Sequence, residues 1–330
     1  MATTIPLWHD AVVASFRDVT PTVREFCLQP AGDVEANAQN YEPGSHLQLQ
    51  ILVNGKPHTR SYSLVGQPDA SCYRIAVKRL EAGRGGSMAM WRLAVGDRLR
   101  ITTPQNHFPL DLTAPGYLLV AGGIGITPLV LMAQTLHKRG ASIRMLFGAR
   151  SEAELAFSEL LREPLGSRLQ TAVADKGEQI GFDEEIAALP KGALMFVCGP
   201  LPMLDAARAA WARAGRPLAD LRYETFGSSG RFAPQAFRVQ VPRHKLDITV
   251  EAQTSLLETL EGAGIKAMYG CRRGECGLCT MDVLALDGEI DHRDVFLSEH
   301  EKNANQRICV CVSRVLGSVT LESAYRPEVV

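Results

Sequence analysis

The sequence predicts a multidomain chain. An antiparallel β-barrel is expected over residues 1–112 and an α/β domain with a parallel sheet over 113–227. A linker at 228–236 then leads to an α+β domain over 237–330. Three observations lead there. Short strands at regular spacing, without long helical patterns, fill the first third. Strands alternate with amphipathic helices through the middle, the mark of βαβ units. The Gly/Ser/Pro-bearing stretch SSGRFAPQ then precedes a hairpin, a helix and a cysteine-rich loop. A length of 330 residues also exceeds what one core usually serves.

The barrel strands are read from REFCLQP, SHLQLQILVNG, TRSYSLVG, YRIAVKRL and DRLRITTP, which show period-two or β-branched character between turn residues. In the α/β domain GYLLVAGG, SIRMLFGAR, LQTAVAD, GALMFVCGP and LRYETFG read as strands. TPLVLMAQTLHKRG, SEAELAFSELLREP, DEEIAALP and LPMLDAARAAWARAG read as the intervening helices. The last domain offers FRVQVPRHKLDITV as a hairpin, SLLETLEGAG as a helix and RVLGSVTLES as a closing strand. The acidic run DGEIDHRDVFLSEHEKNAN (Asp287–Asn305) reads as a solvated loop that could help steer a docking partner.

Bulk composition narrows the function. A net charge of −1 argues against nucleic-acid binding and attraction to an anionic membrane. The longest apolar run, GYLLVAGGIGITPLVLMA, is broken by glycines and a proline, so no membrane span is expected. The N-terminal MATTIPLWHDAVVASF lacks a basic segment followed by an apolar one, and a cytoplasmic location is expected. In a reducing compartment clustered thiols are metal ligands before they are disulfides. Of the eight cysteines, Cys27 and Cys72 lie in strand-like surroundings and read as small buried hydrophobes.

The strongest signal is YGCRRGECGLCT (Tyr269–Thr280). Cys271, Cys276 and Cys279 follow C-x4-C-x2-C, a plant-type [2Fe–2S] spacing that needs one more distant cysteine. Gly274 and Gly277 let the backbone turn its N–H groups toward the sulfurs. A structural zinc site would instead pair C-x2-C units or add histidines, and only one C-x2-C is present. Two cysteines compete for the fourth place, Cys309 and Cys311 in QRICVCVSR. Two apart on an expected strand, they point to one face, and geometry does not choose between them.

Three further stretches suggest cofactor sites. GGIGITP (Gly122–Pro128) joins a buried strand to a helix, where amide groups and the helix dipole favour a phosphate; tight strand–helix packing is the alternative. In RSYS, Arg60 can clamp a phosphate, Tyr62 can lie against an isoalloxazine, and Ser63 can hydrogen-bond near its reactive nitrogen. GRGGSM (Gly83–Met88) offers a second glycine-rich cradle, or a plain barrel loop. His58 and His107 lack partners at catalytic spacing and read as core or solvated histidines.

Taken in order, these elements resemble the ferredoxin–NADP reductase superfamily, and with the cysteine domain the phthalate dioxygenase reductase family. The resemblance spans nearly the whole chain. It implies a flavin-binding barrel, an NAD(P)H-binding domain and a β-grasp ferredoxin domain of plant type. In such ferredoxins the last cysteine precedes a short turn and a closing strand. Setting VTLES (Val319–Ser323) on that strand makes Cys311 the fourth ligand and Cys309 a buried neighbour.

The resemblance further implies that Arg60, Ser61, Tyr62, Ser63, Ala76, Val77 and Lys78 bind flavin, with Gly85, Gly86 and Ser87 at its phosphate. Gly122, Gly123, Gly125 and Thr127 would meet the pyridine nucleotide. Cys198, Gly199 and Pro200 of CGP would line the nicotinamide side, and Phe226 would cover the isoalloxazine. FMN is expected rather than FAD, because GRGGS would end the site at the phosphate. NADH is expected rather than NADPH, with Asp175 on the adenosine ribose; Arg150 and Ser151 could instead welcome a 2′-phosphate. The implied function is the reductase of a two-component Rieske-type oxygenase system, passing electrons from NADH through FMN and [2Fe–2S] to the oxygenase. No side-chain acid or base is required, and a monomer is expected. A redox-sensing regulator and a stand-alone flavin reductase are the alternatives.

Overall fold

The computed structural model describes residues 7–31, 41–69, 71–81, 85–226 and 230–323. An antiparallel sheet comes first, made of β1 (Trp8–Thr20), β2 (Val23–Pro30), β3 (Ser45–Val53), β4 (Lys56–Ser63), β5 (Tyr73–Lys78), β6 (Arg98–Thr102) and the short β7 (Gln105–Asn106). Helix α1 (Gly86–Trp91) lies between β5 and β6. The strand order is β4-β3-β6-β1-β2-β5, with β7 beside β3. Leu64, just after β4, bridges Ile75 of β5, so the two edges meet as in a barrel. Phe26, Leu28, Leu47, Leu49, Tyr73 and Ile75 fill the interior, and the β3–β4 hairpin turns on Asn54 and Gly55, both at positive φ.

Strand β1 is not among the expected strands. Register shifts between Val13 and Ser15 and between Asp18 and Thr20 break its alternation, which blurs the period-two signal. Cys27 and Cys72 correct a second expectation, because they form a disulfide across a Cα–Cα distance of 5.6 Å. Cys27 of β2 pairs with Arg74 of β5, and that register brings Cys72, two residues earlier, within bonding reach.

The middle of the chain is a parallel sheet of β8 (Tyr117–Gly122), β9 (Ile143–Ala149), β10 (Leu169–Val173), β11 (Leu194–Cys198) and β12 (Leu221–Glu224). Its helices are α2 (Thr127–Lys138), α3 (Ser158–Leu165), α4 (Phe182–Ala187) and α5 (Leu201–Arg213). The order β10-β9-β8-β11-β12 reverses direction between β8 and β11, and open α/β sheets bind ligands at the carboxyl ends of such strands. SEAELAFSELLREP does not form one helix. A 3-10 turn at Glu152–Glu154 is followed by Phe157 at φ 61°, and α3 starts only at Ser158. Burial of Ala156 and Phe157 outweighs helix propensity there. The barrel and this sheet belong to one compact unit that ends at Glu224, and a second unit is built from Thr225 onward.

The second unit contains β13 (Phe237–Val241), β14 (Leu246–Val250), α6 (Leu256–Gly262), β15 (Thr280–Asp291), α7 (Glu299–Ala304), β16 (Arg307–Cys309) and β17 (Arg314–Glu322). The order is β14-β13-β17-β15-β16, with β13 and β17 parallel and the other pairs antiparallel, a β-grasp arrangement. Both helices begin with a capping box, Ser255 with Glu258 and Ser298 with Glu301. Asp287–Asn305 is therefore no solvated loop: Asp287–Asp291 belongs to β15, Glu299–Ala304 is helical, and Asp291, His292, Arg293 and Asp294 are buried. Part of SSGRFAPQ is also fixed. Arg231 N–H donates to Asp291, and Arg293, paired with Asp291, donates to the Phe232 carbonyl. Ser228 and Ser229 lie outside the described residues.

Candidate functional site

The cysteine turn lies between α6 and β15, where no strand or helix uses its amides. Arg273 N–H and Glu275 N–H donate to Cys271 Sγ at 3.3 and 3.4 Å. Gly274 N–H, between them, donates to Cys311 Sγ. Cys276 Sγ receives N–H groups from Cys271 and Leu278. Five backbone donors thus face three sulfurs, which suits thiolates carrying shared negative charge. Gly274 makes this possible. At φ 77° it turns the chain, and a Cβ there would meet Val312 at 2.6 Å and the Asp294 Cα at 2.9 Å.

Cys279 Sγ lies 3.1 Å from Cys311 Sγ. Hydrogen bonds from the Cys309 and Cys311 thiols hold the Cys279 thiol down to about 4. A bond from the Cys271 thiol brings Cys276 to about 6. Among the described residues no three His, Cys, Asp or Glu side chains converge as around a single ion. The sulfurs of the candidate set, with the backbone donors aimed at them, fit an iron–sulfur cluster. The expectation that Cys309 and Cys311 share a strand face is corrected: β16 ends at Cys309, and Cys311 lies in the following turn. Cys309 is fully buried in the β-grasp core.

Cys276 is exposed, and apolar groups flank it. A Cβ at Gly270 would contact both Leu278 and Cys276 Sγ, and one at Gly277 would enter the Phe296 ring. Leu278 and Phe296 are themselves 43% and 44% exposed.

In the other unit the glycine loop and the CGP turn meet at the reversal point. A Cβ on Gly125 would lie 2.2 Å from the Cys198 carbonyl oxygen, and one on Gly122 would lie 2.6 Å from Pro200 Cδ. A Cβ on Gly199 would come within 3.1 Å of the Gly122 backbone. Only glycines permit this approach, so the tight packing weighed for GGIGITP is present. Gly123, at φ 53°, has open space around its missing Cβ. Thr127 is buried at the first turn of α2 and donates to the Ile124 carbonyl. These residues fit a pyridine nucleotide. Asp175 is exposed beyond β10, and its N–H donates to the Arg150 carbonyl, which brings the backbones of these two residues together.

The flavin-motif residues run along β4, where Ser61, Tyr62 and Ser63 pair with Gln48, Leu47 and His46. Arg60 lies against Gly86, whose Cβ, if present, would be 2.8 Å from Arg60 Nε. The absent side chain leaves a cradle beside a guanidinium, which fits a flavin phosphate. Gly85, at φ 76°, precedes it, and Ser87 Oγ accepts the Leu80 N–H; Gly83 of the motif lies outside the described residues. Ala76 and Val77 are buried on β5, with the Val77 carbonyl accepting Trp91 Nε1. The Lys78 ammonium faces Glu154 at 3.2 Å.

Sequence reasoning missed Glu224. This carboxylate is 1% exposed at the end of β12 and accepts a hydrogen bond from Ser63 Oγ at 3.4 Å. Its Tyr-Glu-Thr context gives no periodic signal, since Ser63 and Glu224 lie on strands of different sheets, 161 residues apart. Phe226 is half-buried two residues later.

Comparisons with known proteins agree with this layout. The oxidoreductase FAD-binding domain family matches residues 10–109, the oxidoreductase NAD-binding domain family 119–209, and the 2Fe-2S iron-sulfur cluster binding domain family 241–316. The chain is 36% identical to the heme-dependent oxidative N-demethylase beta subunit of Ectopseudomonas mendocina, covering 94% of this chain and 97% of that protein. It is also 36% identical to a toluene-4-sulfonate monooxygenase system reductase subunit of Comamonas testosteroni, with 96% and 98% covered. A solved phthalate dioxygenase reductase, described as a modular structure for electron transfer from pyridine nucleotides to [2Fe-2S], superposes with a TM-score of 0.79. It is 29% identical, with 96% of this chain and 98% of that one covered.

Proposed function

The chain belongs to the phthalate dioxygenase reductase family, and from that premise we propose that it is the reductase of a two-component oxygenase system of Rieske type. It is an NAD(P)H-dependent oxidoreductase that uses a flavin and a [2Fe–2S] cluster. When bound, a flavin would supply hydride-accepting chemistry and a [2Fe–2S] cluster one-electron chemistry. The chain's own residues bind and orient. The proposed domains are 1–112, 113–227 and 237–330, joined by the linker at 228–236.

Gly122, Gly123, Gly125 and Thr127 hold the pyridine nucleotide at the reversal point, with Cys198, Gly199 and Pro200 on its nicotinamide side. Arg60, Gly85, Gly86 and Ser87 hold the flavin phosphate, and the cradle beside Arg60 supports FMN over FAD. Ser61, Tyr62, Ser63, Ala76, Val77 and Lys78 line the ring, and Phe226 covers it. Glu224 orients the Ser63 hydroxyl. Asp175 supports NADH over NADPH. Cys271, Cys276, Cys279 and Cys311 are the cluster ligands, and the exposed Leu278–Phe296 surface beside Cys276 is where electrons leave for a protein acceptor.

The observation that carries this reading is the turn Arg273–Glu275, whose consecutive amides face the sulfurs of Cys271 and Cys311. Its test is the purified protein reduced with NADH. We expect a plant-type [2Fe–2S] EPR signal, FMN on extraction, a higher kcat/KM for NADH than for NADPH, and reduction of a Rieske oxygenase. Absence of the EPR signal refutes the cluster. Lack of rapid cytochrome c or ferricyanide reduction by NADH would instead favour a regulator. Undiminished one-electron delivery after Cys276→Ser would make it a flavin reductase.

A further inference from the structure

Two residues of the cysteine turn do more than face a sulfur. Arg273 and Glu275 donate their N–H groups to Cys271 Sγ, and the same two residues hold Thr225. The Thr225 N–H donates to Glu275 Oε1 at 2.7 Å, and Thr225 Oγ1 donates to the Arg273 carbonyl at 3.3 Å. Glu275 Oε2 meets the Arg273 guanidinium at 3.1 Å, with both side chains largely buried. Thr225 is 2% exposed and lies fifty residues from Glu275 in sequence. Thr225 is thereby latched to the turn that donates to Cys271.

We propose that Glu275 is a positioning residue. Its carboxylate, by accepting the Thr225 N–H and pairing with Arg273, fixes the turn so that two amides point at Cys271 Sγ, and this latch sets the reduction potential of the cluster. The physical link is direct. Hydrogen bonds to cluster sulfurs stabilise the more negative reduced state and raise its potential. A turn with φ 77° at Gly274 has no helix or strand ladder to hold its amides in place. The carboxylate supplies that restraint in a buried setting, where a charge-assisted bond is strong. This inference rests on Cys271 being a cluster ligand.

The test compares the unaltered holoprotein with Glu275→Ala, Glu275→Gln and Thr225→Pro. We expect Glu275→Ala to lower the midpoint potential, shift the EPR g-values and speed amide exchange in the 271–276 segment roughly tenfold, the loss of one charge-assisted hydrogen bond. Glu275→Gln keeps an acceptor for Thr225 and is expected to restore most of the potential. Thr225→Pro removes both the N–H that Glu275 accepts and the hydroxyl that reaches the Arg273 carbonyl, and should reproduce or exceed the Ala variant. If Glu275→Ala assembles no cluster, Thr225→Pro is read in its place. Unchanged potential and exchange in the variant that is read overturn the proposal. Failure of the unaltered protein to show the EPR signal is a different result, and it refutes the cluster assignment itself.

Discussion

Gly125 and Cys198 are in such close approach that no side chain fits between them, a Cβ on the glycine lying 2.2 Å from the cysteine carbonyl oxygen. The contact joins the loop after β8 to the turn after β11. Gly125→Ala must push the two apart, and overpacking of this kind costs about 1–3 kcal/mol. We expect a tenfold or greater rise in the dissociation constant for NAD+ with the bound flavin's absorption unchanged. Titration of NAD+ binding by calorimetry checks this, and wild-type affinity would refute the nucleotide assignment of this loop.

Ser63 and Glu224 lie together at 3.4 Å in a buried site. Glu224→Gln keeps the shape and loses the charge, while Ser63→Ala removes the hydroxyl. One hydrogen bond of about 1 kcal/mol corresponds to roughly a fivefold effect. Each variant is therefore expected to slow flavin reduction by NADH at least fivefold in stopped flow, with NADH binding little altered. The double variant should lose no more than the larger single effect, because the two act as one unit.

The two downstream cysteines both lie in the β-grasp core and both bond Cys279, and an amide of the cysteine turn also reaches Cys311. Cys309→Ser is expected to keep the cluster and to cost about 1–3 kcal/mol through a buried hydroxyl. Cys311→Ser should lose the cluster or leave it labile. Iron and sulfide analysis with EPR reads both, and the reverse result would move the fourth ligand to Cys309.

Asp294 backs the same turn. It is fully buried, accepts bonds from Leu297 N–H and Ser313 Oγ, and its Cα lies beside Gly274. Burial alone would raise its carboxyl, but hydrogen bonds from His292, Leu297 and Ser313 keep it below the ordinary value of 3.8. A carboxylate with a depressed folded pKa stabilises the fold above its unfolded pKa, and that stability is lost as pH falls through the folded value. Asp294→Asn should cost about 1–3 kcal/mol at pH 7. The gap between the variant and the unaltered protein should persist down to the unfolded value of about 3.9 and close only as pH falls on through the lower folded value. Thermal unfolding followed from pH 7 down to about pH 2 measures it; a gap independent of pH would contradict the assignment.

Phe296 and Leu278 offer exposed apolar surface beside Cys276. Phe296→Asp is expected to slow electron delivery to the protein acceptor roughly tenfold, the size of a modest interface contact. Ferricyanide reduction, which needs no docking, should be unchanged. Equal slowing of both would place Phe296 in the cluster's support instead.

What the sequence revealed depended on how local the physics was. The turn Cys271–Cys279 was legible because its cysteines and glycines sit within nine residues, and GGIGITP was legible because glycine is needed where backbones touch. Glu224 and the Thr225–Glu275 contact were not, since pairing of distant segments creates them. The disulfide between Cys27 and Cys72 escaped for the same reason: only the β2–β5 register brings 45 residues of separation to 5.6 Å. The strand β1 escaped for a local reason, its bulges, and Phe157 shows tertiary burial overriding a helical pattern.

The parallel pairing of β13 with β17 gives the second unit a timetable. The strand that opens this sheet finds its central neighbour only in the strand that closes it, from Arg238 opposite Ser318 to Gln240 opposite Thr320. On the ribosome, Cys271, Cys276 and Cys279 emerge well before that neighbour exists, and Cys311 arrives only just ahead of it. Long-range pairing of this kind is slow to form. The sheet of the second unit is therefore completed only by its last described strand.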